Sequence, residues 1–519
     1  MNKNGVNTAE FQTFVGGHDS YVDKNLNCEE LINFYIEPVA SGRKANQFVL
    51  RPTEGSKKIR EMEAPIRAFY ATSRGFNGAN ESAIVCVAGS KVYADWKEVK
   101  GNLKSETGQV DITDNGYQVF ICDGKDDGSG IVHGDAYSID FGQQYDSAFS
   151  PTLKTLEDMP MNPTHCTQCG PYTCISGTVK ESGADQQNSS RFYFSNVAGV
   201  KNDNNELEII FPGDKFEGSV SFYNPIRNLI SQAGFLWLFG DNGYEAWQAT
   251  GNFRQEFQRV QGMFASGYGL VAEWSLKSNG EQIFWLGTGD KGNGICWGLG
   301  FGSAQPARLS LASLEEEWAG YPDLAQAIGS VYSAKGHSFY LLTFPISGKT
   351  FVFDLATKTW HKRHFYNGSE LTAWKPFCTQ TIKNKTYACA IGEKNVYELT
   401  EPCYGDDGAP TYRKRVAPCY NVGLVRSIHY ELALDLQSGR EYQDGEESKF
   451  MLRYSDDGGY NWTNPMIQSN GGRGEYAKIL QFRRLGQARK RVYELSMVDP
   501  VGVNIAGARL TTQLSSMRL

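Results

Sequence analysis

Long apolar runs, helix signals and catalytic frames are all scarce in this chain of 519 residues. No run of about 18 apolar residues occurs, so no helical membrane span is expected. Met1 to Glu10 is polar and lacks an apolar signal-peptide core. Histidine is rare, at seven residues: His18, His133, His165, His337, His361, His364 and His429. None lies in a G-x-S-x-G or H-E-x-x-H frame, which argues against an enzyme, although a pairing made only in three dimensions stays open. Eleven cysteines are scattered, odd in number and mostly inside apolar runs. That usage reads as reduced, buried thiol made in a cytoplasm. His165, Cys166 and Cys169 with Cys174 lack the second C-x-x-C half of a zinc ribbon, so no metal or cofactor is expected.

What is abundant is glycine, at 56 residues, between short aromatic-rich runs. An apolar strand, a glycine-containing turn and an aromatic strand recur seven times. The aromatic residues of the second strands are Tyr93, Tyr137, Tyr193, Tyr244, Trp297, Phe353 and Tyr397, spaced 44 to 56 residues apart. A period near fifty residues is that of one four-stranded propeller blade. The pattern predicts an all-β chain: a β-propeller over 66–405, seven blades by the hairpin count with six also open. An irregular sandwich is the competing reading. Asp354 and Thr357 read as turn formers before Trp360. Leu311 to Trp318 predicts one short helix, with Ser313 as N-cap and Glu316 completing a capping box. Cys28 to Tyr35 fits a strand or a helix.

After Tyr404-Gly405-Asp406-Asp407-Gly408 the period stops. Alternating strands beyond it predict a C-terminal antiparallel β-domain over 406–519, with 1–65 packing on that domain or on a neighbouring subunit. Thr411 to Leu519 carries 16 Lys+Arg and 11 Asp+Glu, a net of +5, against −12 for the remainder. Arg473, Arg483, Arg484, Arg489 and Arg491 form its densest basic stretch. Stacking aromatics are few there, so a protein interface or a solvated strand face is expected ahead of nucleic-acid binding.

Ser455-Asp456-Asp457-Gly458-Gly459-Tyr460-Asn461-Trp462 resembles an Asp-box. Ser455, Asp457, Gly459 and Trp462 take its turn-forming places, a structural role. Gly287-Thr288-Gly289-Asp290-Lys291-Gly292 fits a dinucleotide-loop pattern, but a strand follows where a helix is needed, so it reads as a hairpin turn. The Asp123 to Gly128 stretch has Lys125 where calcium requires an oxygen, and reads as a solvated loop.

Leu452 to Trp462, Gly474-Glu475-Tyr476, Phe482-Arg483-Arg484-Leu485-Gly486-Gln487-Ala488-Arg489, Arg491-Val492-Tyr493-Glu494-Leu495 and Asp499-Pro500-Val501 form a series. It resembles the end of the packaged-DNA stabilisation proteins, or tail-hub (nozzle) proteins, of short-tailed bacteriophages. Leu31 to Pro38 and Leu50 to Gly55 resemble that family's opening, with Ile36 and Glu54 where proline is usual. The resemblance implies a structural virion protein of the tail, assembled in the host cytoplasm, without catalytic residues. It implies a homo-oligomeric ring of six below the portal-adaptor complex, meeting a tail needle or plug and tail spikes or fibres. DNA would pass through the channel without sequence-specific binding. A propeller that binds or cleaves glycans is the alternative.

Overall fold

The computed structural model describes residues 6–39, 48–79, 81–123, 135–142, 149–178, 189–221, 225–289, 292–303, 305–401, 403–443 and 446–515. The chain is all-β, a propeller joined to an antiparallel β-sandwich.

Each glycine-punctuated hairpin supplies the middle two strands of a four-stranded sheet. In the first sheet Ile84–Ala88 pairs with Lys91–Ala94, flanked by Ile66–Ala71 inside and Lys97–Asn102 outside. Six further sheets repeat this order among the described residues. Their inner strands are Asp111–Asp114, Asn162–Cys169, Ile226–Gln232, Lys277–Ser278, Ile328–Ala334 and Cys378–Ile382, each touching the next, with the last returning to Ile66–Ala71. The middle strands are apolar on both sides, as sheets covered on two faces require. Ile84–Ala88 and Gln118–Asp123 are buried along their whole length. Blade faces interleave: Val85, Val87 and Val92 of the first pack on Val119, Ile121 and Tyr137 of the second.

The ring is closed from a distance. The outer strand of the seventh blade is Gly55–Glu61, antiparallel to Asn395–Thr400. This N-terminal strand has mostly exposed side chains, as an outer blade strand should.

The sandwich is also built from both ends of the chain. One sheet holds Val6–Glu10, Phe34–Pro38 and Phe48–Pro52 beside Ser427–Leu436, Leu480–Arg483 and Ile505–Leu514. The facing sheet holds Arg413–Val416, Lys449–Ser455, Met466–Ser469 and Lys490–Met497, with Cys28–Ile32 at its side. Between them Phe11, Phe14, Leu31, Phe34 and Leu50 share a core with Leu432, Phe450, Phe482, Tyr493 and Leu495. Cys28–Ile32 is therefore a strand. It pairs with Arg413–Val416 and makes a parallel bridge from Ile32 to Lys362 of the sixth blade. One continuous sheet thus runs from blade to sandwich.

The helix spans Ala312–Ala319, but its cap differs from expectation. Leu311 is the N-cap and makes no side-chain cap bond. Ser313 lies inside the first turn, buried, and its hydroxyl donates to Asp19 Oδ1 at 2.6 Å instead. A tertiary partner has taken the hydroxyl that local sequence assigns to the helix end. The Asp354 turn does form: its carboxylate accepts from the Ala356 amide at 3.0 Å and the Thr357 hydroxyl at 2.8 Å. Gln282–Gly289 and Gly292–Gly300 pair as a hairpin, so no helix follows the Gly287 turn. Residues 124–128 of the calcium-like stretch lie outside the described residues.

Candidate functional site: sandwich surface and axial cavity

The Asp-box sequence forms a closed turn. Ser455 Oγ donates to Asp457 Oδ1 at 2.6 Å and accepts from the Gly459 amide at 2.8 Å. The Asp457 carboxylate accepts from the amides of Tyr460 and Asn461 and from Asn461 Nδ2. Hydrogen bonds from the Asn461 amide, Ser455 and the Asn461 side chain hold its carboxyl well below the usual range. Gly458 and Gly459 both have left-handed backbone, φ +88° and +104°, which explains the glycine pair. Trp462 Nε1 donates to the Gly459 carbonyl at 3.0 Å, and its ring packs on Cys28, Val416 and Val492. The N-terminal segment lies against this turn: Tyr460 Oη donates to Asp23 at 3.2 Å and Lys490 Nζ to Asn25 at 2.8 Å.

The five expected interface arginines divide. Arg491 does not belong with the rest. It is buried, its Nε and Nη2 grip Asp456 at 2.6 and 2.8 Å, and its Nη1 donates to the Leu485 carbonyl. Its guanidinium also stacks 4.0 Å from the Tyr454 ring centroid. A cation so fully paired inside the sandwich has nothing to offer a partner. Arg473, Arg483, Arg484 and Arg489 are exposed. Arg483 Nε is held 2.7 Å from Glu431, and Arg484 sits at φ +61° in the turn that follows Leu480–Arg483. Arg473 lies in a separate loop.

Other buried arginines escaped the sequence reading, Arg363, Arg413 and Arg415 among them. Arg415 donates to the carbonyls of Phe14, Gly17 and Thr13 and to Glu29, at 2.6 to 3.2 Å. Arg413 donates to the carbonyls of Asp499, Val501 and Tyr404. Arg363 donates to the Glu54 side chain and carbonyl and to Tyr332 Oη, with its plane 3.5 Å from the Trp374 ring centroid. The only sequence signal was the R-K-R triplet at 413–415, whose alternation puts Arg413 and Arg415 on one face of a strand.

At the propeller axis the inner strands enclose a cavity of about 310 Å³, lined by Asp111, Cys166, Trp274, Lys277, Cys378 and Gln380 among others. It shares Arg67, Trp274, Ile328 and Ile391 with a wider mouth of about 760 Å³. His165 is buried near the axis, with Nδ1 3.4 Å from Asp111 and Nε2 3.6 Å from Glu273. Burial pushes its pKa down, the two carboxylates push it up, and the net shift is upward. Cys166 packs with Cys122 between the second and third blades, whereas Cys169 and Cys174 face the fourth. Strand alternation therefore points Cys166 away from the other two.

Comparison with known proteins gives two family-model matches. "Bacteriophage P22 Gp10, beta-propeller" matches residues 219–400. "Bacteriophage P22 Gp10, beta-sandwich" matches residues 413–513. No curated protein matches. Among solved structures, BamB from Moraxella catarrhalis is 11% identical, with a TM-score of 0.34 over 68% of this chain and 98% of its own. U3-55K, at 11% identity, and the RRP9 WD40 repeats, at 10%, each have a TM-score of 0.36 over 67% of this chain and 99% of their own. Those likenesses are too weak to carry an argument. With both halves of one tail protein matched in order along it, the chain belongs to the short-tailed phage tail-hub family of packaged-DNA stabilisation proteins, structural components of the phage tail.

Proposed function

We propose that six copies of this chain form a ring below the portal-adaptor complex, extending the DNA channel and retaining packaged DNA by assembly rather than by chemistry. The observation that carries this reading is the lacing of propeller and sandwich into one body by the N-terminal segment. A single continuous sheet crosses the junction through Cys28–Ile32. A block of that kind suits a part that must bear internal pressure. The cavity on the propeller axis holds only about 310 Å³, far less than a DNA duplex needs, so the channel would arise between subunits.

In this reading residues 1–65 are the lacing segment, 66–405 the propeller and 406–519 the C-terminal β-domain. The exposed arginines Arg473, Arg483, Arg484 and Arg489 face protein, the neighbouring subunit or the adaptor. Arginine suits that contact because its planar fork pairs bidentately with carboxylates. The tail needle or plug and the spikes or fibres dock on the assembled ring, within the virion tail, after assembly in the host cytoplasm. DNA slides through without sequence-specific contact. The chain is not an enzyme, and the glycan-binding alternative gains no support from the family matches.

The test is DNA retention. Packaged heads carrying portal and adaptor are incubated with or without the purified chain, and nuclease-accessible DNA is measured. The chain should lower DNA release. Unchanged release, or release of sugar from a host-surface glycan by the chain, would overturn the reading.

A further inference from the structure

The seventh blade closes the propeller ring, and its first hairpin sets two thiols face to face. Lys383 and Asn384 form a two-residue turn with both φ values positive, +52° and +61°. That turn type matches strand twist and locks register. Ile382 then opposes Lys385, and four residues back along the ladder Cys378 opposes Cys389. Pairs spaced by four in such a hairpin share the hydrogen-bonded geometry, with Cα atoms about 5.5 Å apart. That falls inside the span a disulfide bridges, about 4.4 to 6.8 Å.

The two thiols differ in access. Cys389 is fully buried in the contact between the seventh and first blades, where Cys86 also packs. Cys378 is only partly buried and lines the axial cavity together with Lys277. That cavity shares Arg67, Trp274, Ile328 and Ile391 with the wider mouth, and Cys378 lines it while Cys389 does not, so Cys378 is the thiol on the side a small solute would approach. The chemistry is graded the same way. A hydrogen bond from the Cys389 thiol lowers the Cys378 pKa, burial opposes this, and the Lys277 charge adds to it. Burial pushes Cys389 up.

We propose that Cys378 and Cys389 form a redox-active dithiol, Cys378 the attacking and Cys389 the resolving thiol, oxidised by low-molecular-weight disulfides that enter through the axial mouth. The Cys378 thiolate attacks one sulfur of the small disulfide, breaking its S–S bond. A mixed disulfide forms on Cys378, and the departing thiolate takes up the proton that Cys378 released. Cys389 then gives up its proton and attacks Cys378 Sγ, displacing the second small thiolate, which takes that proton. Two protein thiols are oxidised to one disulfide, and one small disulfide is reduced to two thiols. The resulting bond ties the two inner strands of the blade that completes the ring.

The experiment treats the full-length folded protein with glutathione disulfide, blocks remaining thiols with an alkylating agent, and maps tryptic peptides without reduction. The expected product is a linked pair of peptides carrying Cys378 and Cys389. In Cys389→Ser, glutathione bound at position 378 should rise about tenfold or more over wild type, because the thiol that resolves it is gone. In Cys378→Ser, Cys389 should stay unmodified, while Cys86→Ser should leave the bridge intact. A wild-type chain in which only exposed Cys419 reacts would overturn the proposal. So would a bridge from Cys86 to either residue, or a stable glutathione adduct on wild-type Cys378.

Discussion

The carboxylate of Glu54 lies 3.1 Å from the guanidinium of Arg363, across 309 residues of sequence. Glu54 immediately precedes the strand that closes the seventh blade, and Arg363 belongs to the outer strand of the sixth. The pair fixes where the N-terminal segment enters the propeller. Burial alone would raise the Glu54 pKa, and the Arg363 charge instead holds it below the usual range.

Arg363→Ala should destabilise the protein by about 3–5 kcal/mol, because it strands a buried carboxylate. It also removes the Tyr332 bond and the stack on Trp374. Adding Glu54→Gln should recover part of the loss, since no charge is then left unpaired. Denaturant midpoints of the single and double variants measure both steps. Equal midpoints for wild type and Arg363→Ala would contradict the clamp.

His165 gives a pH signature. Its pKa is raised in the folded protein, so its contribution is full below the ordinary histidine value, about 6.5, and fades as pH climbs through the higher folded-state value. Asp111 is lowered, burial notwithstanding, by its bond to His165, so its share is lost only as pH falls through that lowered value. The stability gap between wild type and His165→Gln should therefore narrow as pH rises from about 6.5 through the raised folded-state value. Paired unfolding curves across that range check this, and a gap that stays constant would show that the imidazole titrates alike in the folded and unfolded chain.

Much of the propeller was readable because its signals are local. Apolar run, glycine turn and aromatic strand lie within twenty-odd residues of each other, and Tyr93 to Tyr397 mark the third strand of every blade. The closing strand was not readable. Ser56-Lys57-Lys58-Ile59-Arg60-Glu61 sits at a blade's outer edge, where burial imposes no alternation. Cys28–Ile32 was ambiguous for a related reason. Glu29 and Glu30 interrupt its apolar pattern, and their partners Arg415 and Lys414 are nearly four hundred residues away. Arg491 was misread because a run of cations normally marks a solvated face, and only the fold shows which member turns inward to Asp456.

The Asp-box turn should behave as a latch for the N-terminal segment. Asp457→Ala removes the acceptor for the Tyr460 and Asn461 amides. Hydrogen exchange should speed up there and at residues 23–25, which lie against the turn, while the propeller amides stay protected. Faster exchange confined to 456–462 would mean that the N-terminal contacts do not depend on the turn.

The exposed and buried arginines should separate cleanly by mutation. Reversing Arg483, Arg484 and Arg489 together to Glu should leave the monomer folded and block docking on the portal-adaptor complex. Single exposed pairs are worth only about 0–1 kcal/mol, so Arg484→Ala alone should do little. Arg491→Ala should instead lower stability, by about 1.5–3 kcal/mol for its charge-assisted bonds. Thermal unfolding and co-sedimentation with portal complexes distinguish the two classes.

In the proposed ring the channel lies between subunits. Electron microscopy of the chain assembled on portal-adaptor complexes tests it most directly. The expected image is a closed ring of six copies around an open channel, with each propeller axis off the symmetry axis. A single copy seated with its own propeller axis on the portal channel, or no ring at all, would contradict it.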